Sequence, residues 1–258
     1  MQTPTLTTKQ TDIILLLYRF RFLDRLDIQT YFHHKTPRRI NSWLKELSEQ
    51  QYIGRIYSRG FKENVKPAIY YLNTKSRLLL KNQKGIDNNL IDRIYREKKR
   101  SRGFITHCQI AAKIYFNLLS LAQNSQAKLH FYTKTDLSTF DNLIDPLPDA
   151  YIAIEEKKIT KRYFLEIFDE SNPRFVIRRR IQEYFKYYES KEWQDKAKKT
   201  FPKIIMICPD DKLKKSIHYF IQRELINEPD LEFYLSTRDV ILTNGINREV
   251  LEKVEPKE

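Results

Sequence analysis

Between residues 7 and 53, apolar positions recur with helical spacing three times. In "TTKQTDIILLLYRF" (7–20), Ile13, Leu16, Leu17 and Phe20 fall at i, i+3, i+4 and i+7, behind threonines suited to capping. "LDRLDIQTYF" (23–32) reads as a short second helix. "KTPRRINSWLKELSEQQYI" (35–53) gives a third. Ile40, Trp43, Leu44 and Leu47 form its buried stripe, with Thr36 as cap and Pro37 in the first turn. "YIGRIYSRG" (52–60) and "KPAIYYLN" (66–73) then read as two strands, joined by a loop that holds Gly60, Lys62 and Lys66, before "TKSRLLLKN" starts another helix. Three helices, a hairpin and a closing helix predict a winged helix-turn-helix over residues 1–83, whose third helix enters the major groove while the hairpin touches backbone.

Residues 84–102 carry few apolar side chains and end in "REKKRSR" (96–102), which marks a basic linker that is either solvated or tracks a phosphate backbone. Beyond it, residues 103–258 predict an α/β domain. "FITHCQIAAKIYFNLLSLAQ" (104–123) is a long helix, and "KLHFYT" (128–133), "DAYIAIEE" (149–156) and "KRYFLEIFD" (161–169) are three strands. "NPRFVIRRRIQEYFKYYES" (172–190) is a helix and "KIIMICP" (203–209) an apolar run expected of a fully buried strand. "DDKLKKSIHYFIQREL" (210–225) and "LEFYLST" (231–237) add a helix and a strand. The first strands make a meander and the last are joined through helices.

Charge sharpens this picture. Lys and Arg number 47 against 33 Asp and Glu in 258 residues, a net charge of +14. Such a surface attracts polyanions, double-stranded DNA first and an anionic membrane second. No apolar run approaches the roughly 18 residues of a membrane helix, and "MQTPTLTTKQ" does not have the form of a signal peptide. Cys108 and Cys208, with no CxxC spacing, exclude a zinc finger and read as reduced thiols of a cytoplasmic protein.

Arg38, Arg39, Asn41, Ser42 and Lys45 lie off the buried stripe of the third helix. Arg38, Arg39 and Asn41 are the candidate base readers, since Arg and Asn make bidentate contacts with base edges. Lys45, Arg59 and Lys62 are candidate phosphate contacts. Winged helices also serve as protein-protein modules, so an acidic protein partner is the competing reading. In the second domain Asp149 and Glu166 sit near the ends of adjacent strands. Two carboxylates that converge there suit Mg²⁺ or Mn²⁺, which activates water and stabilises charge on a phosphate. The competing reading has Asp149 satisfying a turn and Glu166 pairing with an arginine. At about 100° per residue, Arg180 falls beside the apolar face of Ile177, Ile181 and Tyr184, while Lys186 points away. Arg180 is therefore the candidate cation beside the acids, able to orient or stabilise but not to act as a base.

The order of elements resembles the restriction-endonuclease-like αβββαβ core, which places an Asp after a Pro on the second strand and a Glu-x-Lys on the third. Pro148-Asp149 fits the first half; in Glu166-Ile167-Phe168 the lysine position holds Phe168. Taken together, "LTTKQTDIILLLYRF", "WLKELSEQQYIGRIY", "AIYYLN", "THCQIAAKIY", "PDAYIAI" and "YFLEIFDES…IRRRIQEY" resemble the replication-relaxation family of plasmid and mobile-element proteins, over about residues 7–240. That family is similar to MobC-type mobilisation relaxases. The resemblance implies a His near the start of the central helix (His107), an acid ending the third strand (Glu166), and a basic residue four before a Tyr (Arg180 and Tyr184). It implies a DNA-binding protein of replication or mobilisation, with metal-dependent catalysis by Asp149, Glu166 and Arg180 as one reading. A non-enzymatic accessory protein or regulator on a degenerate nuclease fold is the other. A homodimer and other replication or mobilisation proteins are compatible partners.

Overall fold

The computed structural model describes residues 6–57, 67–81, 83–141, 143–157, 159–228, 230–247 and 249–257. They form a mixed α/β chain with two compact units, Met1–Ala112 and Lys113–Glu258.

The first unit begins with α1 (Thr8–Phe20), whose start is set by a capping box. Gln10 N–H donates to the Thr7 hydroxyl at 3.3 Å, and Thr7 N–H donates back to Gln10 Oε1 at 2.9 Å. Ile13, Leu16, Leu17 and Phe20 are all buried, as their spacing predicts. The chain then runs through β1 (Leu23–Asp24), α2 (Arg25–Tyr31), α3 (Arg38–Glu49), β2 (Ile53–Ile56), β3 (Ile69–Leu72) and α4 (Ser76–Lys81). The three strands make an antiparallel sheet in the order β1-β3-β2, with Leu23 opposite Tyr70 and Arg55 opposite Tyr70 on its other side. Ile40, Leu44 and Leu47 hold α3 down, whereas Trp43 is only half-buried, with its ring edge-on to Phe32 and His34 at 5.5 Å each. Thr36 does not cap this helix. Pro37 occupies the N-cap in αR backbone, and no side chain caps the turn.

The stretch 84–102 differs from the expected linker. It holds α5 (Asn88–Ile91) and a 3₁₀ segment, Asp92–Lys99. Ile91 and Ile94 are buried, and Glu97, 2% exposed, receives both Nε and Nη2 of Arg21 on Oε1 at 2.9 and 2.8 Å. A charged run is fastened here by one internal acid whose partner lies 76 residues away. Arg59 and Lys62, together with the rest of the loop between β2 and β3, lie outside the described residues.

The division between units falls within α6 (Arg102–Asn124). After it come β4 (Lys128–Thr133), α7 (Lys134–Leu137), β5 (Ala150–Glu156), β6 (Ile159–Ile167), α8 (Arg174–Glu189) and α9 (Glu192–Ala197). The chain continues through β7 (Lys203–Cys208), α10 (Asp211–Glu224), β8 (Phe233–Thr237), α11 (Arg238–Asn244) and β9 (Glu252–Lys253). The sheet order is β4-β5-β6-β7-β8-β9. The β4-β5-β6 meander is antiparallel, β6, β7 and β8 run parallel, and β9 turns back antiparallel. Each parallel neighbour is reached through a helix, because a parallel pair needs a crossover. On one face lies an apolar cluster in which Phe164, Met206 and Phe233 from the strands meet Ile181 and Tyr184 of α8 and Ile217 and Ile221 of α10. On the other, Tyr115 of α6 packs edge-on to Phe131 of β4 at 5.3 Å. Cys208, fully buried at the end of β7, has its thiol pushed up to about 12 by that burial. It is expected to resist alkylation in the folded protein at pH 8 and to react once urea unfolds it; mass spectrometry of the modified peptide reads the result.

Candidate functional site

Asp149 and Glu166 meet at neighbouring strand ends. The β5–β6 register ends with Ala150 opposite Leu165, one residue from each acid, and Asp149 is near enough for its charge to act on the Glu166 carboxyl. Asp149 is fixed there by its own backbone and side chain. Its N–H donates to Leu165 O at 3.0 Å, and its Oδ2 accepts from Ile167 N–H at 2.8 Å.

The cation at this centre comes from α8. Ile177, Ile181 and Tyr184 are fully buried under the helix, and the neighbouring Arg180 is 6% exposed. Its Nε and Nη2 donate to Glu166 Oε1 at 2.9 and 2.6 Å. The Tyr184 hydroxyl donates to the same oxygen at 2.6 Å, and the Arg180 guanidinium sits 4.7 Å from the Tyr184 ring centre. Glu183 Oε2 lies 3.4 Å from Arg180 Nη1. Burial pushes the Glu166 carboxyl up, and Arg180 and Tyr184 oppose that while Asp149 adds to it. Burial also works against the Arg180 charge, but Glu166 and Tyr184 outweigh it and hold the guanidinium above its ordinary value. Burial and the Glu166 charge push the Tyr184 phenol well above its ordinary value, so it stays a donor.

This donor set bears on a divalent ion. Glu166 Oε1 already takes three donors, Asp149 Oδ2 takes a backbone N–H, and Arg180 supplies the positive charge. Among the described residues, no group of three or more His, Cys, Asp or Glu is placed to hold a metal. As arranged, Glu166 Oε1 has no vacancy for Mg²⁺ or Mn²⁺, and Arg180 supplies the positive charge that such an ion would bring. Phe168, two residues after Glu166, is buried in the apolar cluster and offers neither charge nor proton.

In the first unit, Arg38, Arg39, Asn41, Ser42 and Lys45 are all exposed on α3, opposite the buried Ile40, Leu44 and Leu47. Ser42 donates to Glu46 Oε1 at 2.8 Å, and Lys45 lies 3.8 Å from Glu49, so two of the five have local partners. Arg38 and Arg39 are the exposed guanidinium groups of this face.

The family profile described as Replication-relaxation matches residues 15–204. The chain belongs to that family. No curated protein matches it. Among solved structures, it is similar to the restriction endonuclease FokI at 12% identity and a TM-score of 0.32, and to FokI bound to DNA at 11% and 0.28. Each match covers 96% of this chain and 48% of the other, so the chain spans about half the length of those proteins.

Within this replication-relaxation chain, His107 lies half-buried on α6, in the first unit. No described helix is long and apolar enough to cross a membrane. The reading that gave Glu166 an arginine partner describes its contacts, and the placement of Arg180 beside the apolar face of α8 brings it there. The resemblance pairs Arg180 with Tyr184, but the hydrogen bond from the Tyr184 hydroxyl to Glu166 was not read from the sequence. The i, i+4 spacing from Arg180 was its signal, but helical periodicity assigns Tyr184 only to the buried face.

Proposed function

We propose that this protein binds double-stranded DNA in a replication-associated role. Its first unit acts as a winged helix-turn-helix, and α3 is the helix that enters the major groove. The observation that carries the reading is the exposed α3 face, where Arg38, Arg39, Asn41, Ser42 and Lys45 stand clear of the stripe that packs the helix down. The net charge of +14 supports it through phosphate contacts. The second unit follows the αβββαβ order of a restriction-endonuclease-like scaffold. Its Glu166–Arg180–Tyr184 centre serves structure rather than cleavage, because the guanidinium holds the acid that a divalent ion would use.

Duplex binding measured by anisotropy is expected to fall at least ten-fold between 50 and 200 mM salt, as counterion release requires for several phosphate contacts. Arg38→Ala with Arg39→Ala is expected to weaken a selected site by about 1–3 kcal/mol for each base reader removed, while changing random-sequence binding less. A flat salt response sinks the DNA reading. Equal weakening on both sequences reduces α3 to a backbone contact. In the same preparation, supercoiled plasmid with Mg²⁺ or Mn²⁺ is expected to stay closed. Nicking that disappears in Asp149→Asn and Glu166→Gln would restore the metal-dependent relaxase reading of these two carboxylates and Arg180.

A further inference from the structure

The basic stretch after α4 folds into a cleft rather than a linker. Arg77, Asp92, Arg93, Tyr95, Arg96 and Arg100 line an open space of about 540 Å³, wholly within the first unit. That size lies in the range of small-ligand sites.

Four guanidinium groups face one carboxylate. Asp92 is paired with Arg77. Glu97, buried beneath, is already taken by Arg21, and its second oxygen makes an ion pair with Arg100 Nε at 3.9 Å, too long for a hydrogen bond. The Nε atoms of Arg77 and Arg100 are buried without a hydrogen-bond partner among the described residues. Buried polar groups are nearly always partnered, so such atoms call for an explanation. Arg93 donates to the Tyr18 carbonyl at 2.8 Å. Burial, with a smaller contribution from the nearby Arg21 charge, pulls the Arg93 guanidinium down to about 10. At the mouth, Tyr95 is 53% exposed, with Arg96 against its ring at 5.0 Å.

Each feature narrows the ligand. Surplus positive charge asks for an anion. Planar guanidinium forks match the oxygens of a phosphate better than a single ammonium does. An exposed aromatic beside a phosphate site offers a face on which a base stacks. The α3 face shares none of this geometry, so the cleft is a separate contact.

We propose that the cleft binds the phosphate of a nucleotide unit, with Arg77, Arg96 and Arg100 on the phosphate and Tyr95 under the base. The unit comes from a single strand of nucleic acid or from a free nucleotide, which share this chemistry. The strand source rests on the DNA-binding reading above; the cleft itself does not.

The test uses the full chain as wild type, Arg77→Gln/Arg100→Gln, the exposed single variant Arg96→Gln, and Arg38→Ala/Arg39→Ala. Each is checked for fold by circular dichroism. A labelled 20-mer single strand is titrated by anisotropy, and ATP and inorganic pyrophosphate by calorimetry. For the strand source, the double Arg-to-Gln variant is expected to lose about ten-fold in single-strand affinity, and its salt slope to fall by about 1.4, at roughly 0.7 per contact. Arg96→Gln should lose affinity in the same direction, while the α3 variant keeps single-strand binding. For the free-nucleotide source, ATP and pyrophosphate bind wild type and lose affinity in both cleft variants, while the 20-mer is indifferent to them. Either pattern supports the cleft. Unchanged binding of all three probes by a folded Arg96→Gln and a folded double variant overturns it. If wild type ignores duplex DNA yet binds pyrophosphate through these arginines, the function proposed above fails and the cleft survives.

Discussion

Arg180→Leu is expected to lower the stability of the second unit by about 3–5 kcal/mol, because it leaves the buried Glu166 without its cation. The Glu166→Leu/Arg180→Leu double variant should recover most of that stability. A buried pair replaced by apolar groups is often close to neutral; the Tyr184 hydroxyl then goes without its acceptor, at about 1–3 kcal/mol, while Glu183 keeps Arg179. Trp193 lies against Phe164 in the second unit, so its fluorescence in a Trp43→Phe background follows urea unfolding of that unit alone. The pH dependence has a definite sign. Burial already raises the Glu166 carboxyl in the wild type, and removing the Arg180 charge that opposes burial raises it further. A carboxyl raised in the folded state contributes its full stability below its unfolded value, and that contribution fades as pH climbs through the folded value. The deficit of Arg180→Leu should therefore be largest at neutral pH and shrink on acidification towards the ordinary glutamate range. A single variant within 1 kcal/mol of wild type at pH 7, or a deficit that grows on acidification, would show that Arg180 is not what keeps Glu166 in place.

Phe164→Ala should cost a comparable amount, about 3–5 kcal/mol, because the ring no longer packs and a cavity takes its place. Phe164 is fully buried. Its ring centre lies 5.8 Å from those of Tyr151 and Tyr184, 5.4 Å from Trp193 and 6.0 Å from Phe201. It joins the strand that bears Glu166 to the helix that bears Arg180, so its removal should disturb their pair as well as the core. Phe164→Leu, which keeps most of the volume, is expected to cost under about 1.5 kcal/mol. The two are compared by urea midpoint, with Trp193 emission read for a red shift in the alanine variant. Similar midpoints for both would mean that this cluster closes over a gap and that ring packing is not what fixes α8.

Where one face of an element is buried and the other wet, the sequence was legible. The α3 stripe followed from Ile40, Leu44 and Leu47, and the place of Arg180 followed from its rotation relative to Ile177, Ile181 and Tyr184. β7 was legible because "IIMIC" is apolar throughout and covered on both faces. The short helices α7, α9 and α11, of four to seven residues, escaped because periodicity needs two or more turns to register. The 3₁₀ segment escaped for a different reason. Glu97 looks solvated in a run of lysines and arginines, and its two hydrogen bonds from the distant Arg21 are what make its burial tolerable. At the candidate site, both carboxylates and the arginine could be placed on adjoining elements, but their ligation could not. Whether Glu166 meets an ion or a guanidinium depends on how far α8 leans over the strand end, which no local spacing encodes.

The brevity of β9 has a consequence for self-association. A central apolar strand such as β8 would, at the border of a sheet, offer unpaired N–H and C=O groups as a template for another chain. Glu252–Lys253 covers that border with two charged residues, and Val254, 1% exposed, fastens them by donating its N–H to Phe233 O at 3.0 Å. A strand this short and this charged presents too little regular backbone for a further strand to add to it. Val254→Asp, which would loosen the fastening, should thus open the β8 border and let copies of the chain grow by edge-to-edge pairing.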